Sequence, residues 1–220
     1  MIFNYHRAIA GIAACLLMTS AAWSAEGPSG DKVNITSTLP YVDVNYQGNI
    51  IRIERNQDTE HKLTNSFSKT SRKCPPFCIQ PMKAAPGVTT VAEMELLDFL
   101  MTKVKRGDGL LIDARVSSFY KKGTIPGSVN IPFTVFSKDP SDPDLASALA
   151  KLGVVEKDFG KYDFSKAKML MLWCNGPWCG QSPRAIKGLI SLGYPPSLLY
   201  YYRGGMQTWQ ILGMKTVAGK

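Results

Sequence analysis

The chain has 220 residues, 45% of them hydrophobic and 20% charged, with 26 Lys+Arg against 17 Asp+Glu for a formal charge of +9. That composition excludes a disordered tail protein, a collagen-like chain and a polytopic membrane protein. The positive balance suits anionic small molecules, acidic lipid or nucleic acid without selecting among them.

The first 25 residues read as a secretory signal peptide. Arg7 is their only charged residue, Ala8 to Ala22 is an apolar run broken by Gly and small polar residues, and Ser20-Ala21-Ala22-Trp23-Ser24-Ala25 precedes polar Glu26-Gly27-Pro28. A basic start, a short apolar core and a small-residue cleavage site define such a leader, and the run falls short of the ~20 residues of a spanning helix. Ile12-Ala13-Ala14-Cys15 resembles a lipoprotein cleavage box, but the apolar run continues past Cys15 to Met18, which favours simple export over lipid anchoring. The expected destination is a bacterial periplasm, with no membrane span left after processing. Removing this leader takes His6 and Cys15 with it and leaves a single histidine, His61, and four cysteines. A Ser-His-Asp triad would need His61 itself, and metal sites built on two or more histidines are excluded. Chemistry is therefore sought on the cysteines, with no cofactor and no metal expected.

Residues 26–87 form an N-terminal extension. Tyr41-Val-Asp-Val-Asn-Tyr46 alternates at period 2 and Ile50-Ile-Arg-Ile-Glu-Arg55 follows across Gln47-Gly48-Asn49, the pattern of a β-hairpin. A polar stretch, Asn56 to Lys73, leads into Cys74-Pro-Pro-Phe-Cys78, and Gln80-Pro-Met82 continues a compact loop expected to pack over the main domain. Pro86-Gly87 marks the boundary.

From Val88 the pattern alternates. Thr90–Lys105 has apolar positions at helical spacing, Leu110-Leu-Ile-Asp113 is a short buried strand, and Val129-Asn-Ile131 is another. Leu145–Leu152 reads as a helix, Lys168-Met-Leu-Met-Leu-Trp173 as the most apolar strand, Ser182–Leu192 as a helix ended by Gly193, Ser197–Tyr202 as a strand and Gly205–Leu212 as a last helix. Strands alternating with such helices predict an α/β three-layer domain over 88–218 with a parallel central sheet, plus a small β-rich N-terminal extension.

In open parallel sheets ligands bind at the carboxyl ends of strands, where loops meet helix N-termini. Cys174 occupies that place. It follows the strand 168–173 and opens the segment Asn175, Gly176, Pro177, Trp178, Cys179, Gly180 and Gln181, ahead of Ser182-Pro183, which reads as N-cap and first helical residue. Loop amides and the helix dipole are expected to converge on the Cys174 sulfur, depress its pKa and make it nucleophilic. Cys179 reads either as a resolving thiol or as a structural disulfide partner. Cys74 and Cys78 read as a small disulfide loop, as a redox relay to the Cys174 loop, or as two ligands of an incomplete metal site. The basic clusters Lys69, Arg72, Lys73; Lys103, Lys105, Arg106; and Lys121, Lys122 read as solvated faces, and no nucleic-acid motif accompanies them.

Leu110-Leu-Ile-Asp-Ala-Arg115 with Gly123-Thr-Ile-Pro-Gly-Ser-Val-Asn-Ile-Pro132 resembles the first signature of the rhodanese (thiosulfate sulfurtransferase) superfamily, and Arg203-Gly-Gly-Met-Gln-Thr-Trp209 with Gly213 resembles the second. Leu172-Trp-Cys174 falls where that family has its active-site loop. The resemblance implies that Cys174 is the sulfur-carrying nucleophile and that the amides of Asn175 to Gln181 bind the persulfide or the substrate anion. It further implies that Ser182 hydrogen-bonds the sulfur, and that Asp113, Arg115, Gly204, Gly205 and Trp209 brace the fold. It implies a small anionic sulfur donor such as thiosulfate, with a thiol reductant or a sulfur-acceptor protein as partner. Cys-Pro-Pro-Phe-Cys-Ile-Gln-Pro is similar to a motif found beside rhodanese-like domains in exported bacterial proteins.

Three departures stand out. The Arg or Lys usual five residues after the cysteine is here Cys179, the loop is about two residues longer than the common form, and Thr124 replaces the common His. Rhodanese-fold phosphatases place Arg six residues after the cysteine; that position is Gly180, so the bidentate phosphate clamp is missing. Arg184 reads either as a partial substitute for that charge or as a solvated helix residue. The leading expectation is a sulfurtransferase working through a Cys174 persulfide. The alternatives are a thiol–disulfide or sulfur-carrier protein using the Cys174/Cys179 and Cys74/Cys78 pairs, and a catalytically silent binding module.

Overall fold

A computed structural model describes residues 32–220, which form one compact unit; the expected leader, residues 1–25, lies outside the described residues. The chain opens with a hairpin, β1 (Tyr41–Tyr46) and β2 (Asn49–Glu54), in antiparallel register from Tyr41 opposite Glu54 to Tyr46 opposite Asn49. Gln47 and Gly48 alone make the turn, with φ of 53° and 81°. Two consecutive positive φ values are those of a type I′ turn, whose twist matches that of the strands it joins.

The central sheet has five parallel strands in the order β3-β9-β8-β4-β5. They are β3 (Thr89–Val91), β4 (Gly109–Asp113), β5 (Ser128–Asn130), β8 (Met169–Trp173) and β9 (Leu199–Tyr202). Side chains of successive residues leave a strand on opposite faces, and the burial follows that rule. Leu170 and Leu172 of β8, Ile112 of β4 and Leu199 and Tyr201 of β9 enter one core. Met171, Trp173, Leu111 and Tyr202 enter the other. The first core is closed by α3 (Pro143–Lys151), α4 (Gln181–Ser191) and a 3₁₀ turn at Phe133–Ser137. The second is closed by α1 (Glu93–Phe99) and α5 (Gly205–Ile211), and also by Val42, Val44 and Ile53 of the hairpin. The hairpin thus completes a layer of the three-layer fold.

Several elements differ from expectation. The segment expected as a helix from Thr90 begins as β3, because its β-branched Thr89-Thr90-Val91 run pairs with Tyr200–Tyr202. The helix starts only at Glu93, where Glu95 accepts the Ala92 amide at 3.0 Å, and Leu100–Val104 continues it as a π turn. Helix α2 (Ser117–Lys122) and the exposed antiparallel pair β6 (Val155–Asp158) and β7 (Lys161–Asp163) carry too little apolar periodicity to be foreseen. No helix among the described residues is long and apolar enough to cross a membrane.

Candidate functional site

The site forms where the central strand β8 ends. Its last residue, Trp173, is fully buried, and Cys174 follows directly. The backbone of Cys174 and Asn175 is clamped by the start of α5: Met206 N donates to Cys174 O and Gln207 N to Asn175 O, each at 2.9 Å. Gly205 permits this approach. It has φ of +57°, and a Cβ there would lie 2.3 Å from Cys174 O and 2.7 Å from Gly176 N. Gly204 precedes it, and Trp209, buried in the second core, donates to Lys215 O at 2.8 Å.

A buried ion pair braces the other side. Arg115 Nε donates to Asp113 Oδ1 at 2.8 Å and Nη2 to Oδ2 at 2.6 Å; Thr124 Oγ1 adds a bond to Oδ2 at 3.0 Å. The guanidinium also lies 4.6 Å from the Trp173 ring centroid, and Nη1 reaches Asn175 Oδ1 at 3.4 Å. Arg115 thereby joins the first signature segment to the Cys174 loop. Thr124, where the related pattern has His, spends its hydroxyl on Asp113.

Cys174 and Cys179 are both free and buried, 2% and 5% exposed. Ser182 Oγ donates to Cys174 Sγ at 3.1 Å, Cys174 Sγ donates to Cys179 O at 3.2 Å, and Asn175 Nδ2 lies 3.8 Å from Cys179 Sγ. Two expectations are corrected here. Helix α4 starts at Gln181 with Gly180 as N-cap, so Ser182 lies inside the first turn and its hydroxyl turns to sulfur instead of capping amides. The expected depressed thiol at Cys174 is not found: burial pushes it well up, hydrogen bonding with Cys179 adds to that, and only the Ser182 hydroxyl and amide oppose. The depressed thiol is Cys179. Its hydrogen bond with Cys174 draws it from 9.0 down to about 7 against the effect of burial, with help from the Gln181 and Asn175 amides. The loop's donors are divided between two sulfurs, and the solvent-side one receives more of them.

The extension forms a wall over this loop. Gln80 N donates to Pro177 O at 2.8 Å, and Arg203 Nη2 to Gln80 O at 2.9 Å. Cys74 and Cys78 are bonded to each other, which overturns the metal-ligand reading of that pair. Phe77, between them, meets Trp178 edge-on with ring centroids 5.4 Å apart. Arg72, expected on a solvated face, instead stacks its guanidinium 3.9 Å from the Trp178 ring centroid. Trp178 Nε1 donates to Gln207 Oε1 at 2.6 Å, which fixes the indole. Gly176 packs against the same Gln207 and Trp178 side chains and accepts the Cys179 amide at 2.9 Å in a tight turn.

Between wall and loop lies a cavity of about 260 Å³, lined among others by Cys179, Gly180, Gln181 and Arg184 but not by Cys174. Arg184 is exposed, with its guanidinium 5.8 Å from the Phe133 ring centroid. Sequence reasoning had missed Arg72, Phe77 and Gln207. An apolar Trp178 placed in an active loop was the one local hint that something packs upon it. Among the described residues no group of three or more His, Cys, Asp or Glu is placed to hold a metal ion.

A rhodanese-like domain model matches residues 96–212. Similar solved structures include the human single-domain sulfurtransferase TSTD1, at 26% identity over 56% of this chain and 96% of that one, TM-score 0.39. The BH2092 protein from Bacillus halodurans is 20% identical over 59% of this chain and 77% of its own, TM-score 0.41. A thiosulfate sulfurtransferase from Pseudomonas aeruginosa is 18% identical over 63% of this chain and 22% of its own, TM-score 0.40. No curated protein sequence matches significantly. With its parallel five-stranded sheet and its cysteine at the end of the central strand, the chain belongs to the rhodanese-like domain family.

Proposed function

We propose that the protein is a sulfurtransferase that carries sulfane sulfur as a persulfide on Cys174. The observation that carries this reading is the Ser182–Cys174–Cys179 constellation at the carboxyl end of β8, beside a cavity. Near neutral pH the two thiols hold one proton between them once Cys179 ionises at about 7. Passing the Cys174 proton to the Cys179 thiolate frees the Cys174 sulfur to attack, with the Ser182 hydroxyl donating to the developing charge. In the first half-reaction Cys174 thiolate bonds the outer sulfur of a donor such as thiosulfate, the donor's S–S bond breaks, and sulfite leaves with the electron pair. In the second, an acceptor thiolate attacks the outer sulfur of the persulfide and releases Cys174 thiolate. Export to a periplasm after removal of residues 1–25, and a domain boundary near residue 87, belong to this proposal.

A second reading is favoured by the position of Cys179, which lines the cavity and is the more acidic thiol. In it, Cys179 thiolate attacks the inner sulfur of the Cys174 persulfide, expels hydrosulfide and leaves a Cys174–Cys179 disulfide that an external dithiol reduces. Peptide mass spectrometry after thiosulfate treatment separates the two. A gain of one sulfur atom on the Cys174 peptide, absent in Cys174→Ser, supports the first. A reducible Cys174–Cys179 bridge formed on turnover, with Cys179→Ser stalled, supports the second. Full transfer activity in Cys174→Ser overturns both.

A further inference from the structure

The cavity is unlike a simple inorganic-anion site. Aromatic rings form much of its lining, Phe77, Trp178 and Phe133 among them, together with two guanidiniums, Arg72 and Arg184. No acidic side chain lines it among the described residues. Arg72 Nη2 is held by Ser66 O at 2.5 Å and the guanidinium stacks on Trp178, so its positive charge is fixed at the cavity wall. Cationic donors orient an anion, and aromatic walls favour an apolar body that loses little by leaving water. The small, heavily hydrated thiosulfate dianion uses the first feature and wastes the second. Arg72 and Phe77 lie outside the 96–212 family match, so this part of the wall is contributed by the extension.

We propose that the cavity selects an organic sulfane-sulfur anion, its sulfur and charge carried on an aromatic or apolar body, over inorganic thiosulfate, with Arg72 holding the charge and Phe77 setting the preference for the body. This rests on the sulfur-transfer reading above. With an organic thiosulfonate the step balances without an added oxidant or reductant. Cys174 thiolate bonds the sulfane sulfur, the bond between that sulfur and the sulfonyl sulfur breaks, and an organic sulfinate leaves with the electron pair.

The test uses the full chain with two readouts. The first is binding of benzenesulfinate against methanesulfinate by calorimetry, which needs no turnover. The second is kcat/KM for benzenethiosulfonate against thiosulfate. Benzenesulfinate is expected to bind about tenfold tighter than methanesulfinate, and Arg72→Met to weaken it about tenfold, the scale of one charge-assisted contact. The same substitution is expected to lower kcat/KM for both donors, because both anions use the guanidinium. Phe77→Ala, at a side chain already partly exposed, is expected to lower the benzenethiosulfonate-to-thiosulfate ratio of kcat/KM several-fold while the thermal melt holds. Equal binding of the two sulfinates, an Arg72→Met protein that binds benzenesulfinate as wild type does, or a Phe77→Ala protein with the wild-type ratio overturns the proposal. Absence of all sulfur transfer with the aryl preference in binding intact would refute the sulfurtransferase reading and leave the anion site standing. Transfer without that preference would do the reverse.

Discussion

Gly205 touches the backbone of Cys174 so closely that a Cβ on it would stand 2.3 Å from the Cys174 carbonyl oxygen. Its φ of +57° is also one that side-chain-bearing residues rarely adopt. Gly205→Ala therefore combines a positive-φ penalty with a backbone clash that no rotamer relieves, at a cost of about 1–3 kcal/mol or more. Thermal or urea unfolding checks the loss. The clash falls on the residue bearing the site's sulfur, so sulfur-transfer activity is expected to fall by more than the unfolded fraction explains.

The two thiols should be distinguishable by alkylation. Cys179, drawn down to about 7, is expected to react with iodoacetamide first, and its rate to rise with pH about that midpoint. Cys174, pushed up by burial, should lag behind it throughout. Peptide mapping across a pH series checks the order. Preferential modification of Cys174 near neutrality would mean that its environment stabilises charge far more than the packing around it implies.

The same pair sets a pH dependence of stability. Folding lowers the Cys179 pKa from 9.0 to about 7, so between these values the unfolded chain binds the extra proton and stability rises with pH. That contribution is complete above the unfolded value and is lost as pH falls through about 7. Cys174 has the opposite sign: its thiol is raised above 9.0, so its contribution is present below that value and fades as pH climbs further. Urea midpoints of wild type minus those of Cys179→Ala, taken across the neutral to mildly alkaline range, should show the rise.

Ser182→Ala removes the hydroxyl that donates to Cys174 Sγ at 3.1 Å. The Ser182 hydroxyl and amide are what draw the Cys174 thiol down against burial, so losing one should leave the thiol higher still. About tenfold is expected to be lost from kcat, with KM little changed, because the bond strengthens as charge develops on sulfur. Slower alkylation of Cys174 with an unshifted Cys179 midpoint would distinguish this from a packing defect.

Much of the architecture was legible because it is written at short range. The alternation of Leu170 to Trp173 between two cores, the Tyr41–Tyr46 hairpin and the loop opened by Cys174 all follow from local pattern. What escaped depends on partners distant in the chain. Thr89–Val91 becomes a strand only because Tyr200–Tyr202 offers an edge, and Arg72 leaves solvent only because Trp178 offers a face. The division of acidity between Cys174 and Cys179 was hidden for the same reason. Position after a strand suggests a thiolate, whereas depth of burial and the sharing of Ser182, Gln181 and Asn175 donors are tertiary properties.

Arg115 and Asp113 form a fully buried pair whose third arm holds Asn175. Arg115→Met leaves the Asp113 carboxylate with Thr124 and the residue-115 amide as its donors, in a core that no longer balances its charge. Breaking a buried pair from one side typically costs about 3–5 kcal/mol, whereas replacing both members by apolar residues is often nearly neutral. The single variant is therefore expected to lose that much in urea unfolding, and Asp113→Leu with Arg115→Met to recover most of it. Sulfur transfer should not recover in the double variant, because Asn175 then lacks the guanidinium that ties the Cys174 loop to the first signature segment. A double variant that regains both stability and activity would show that Arg115 serves the fold alone.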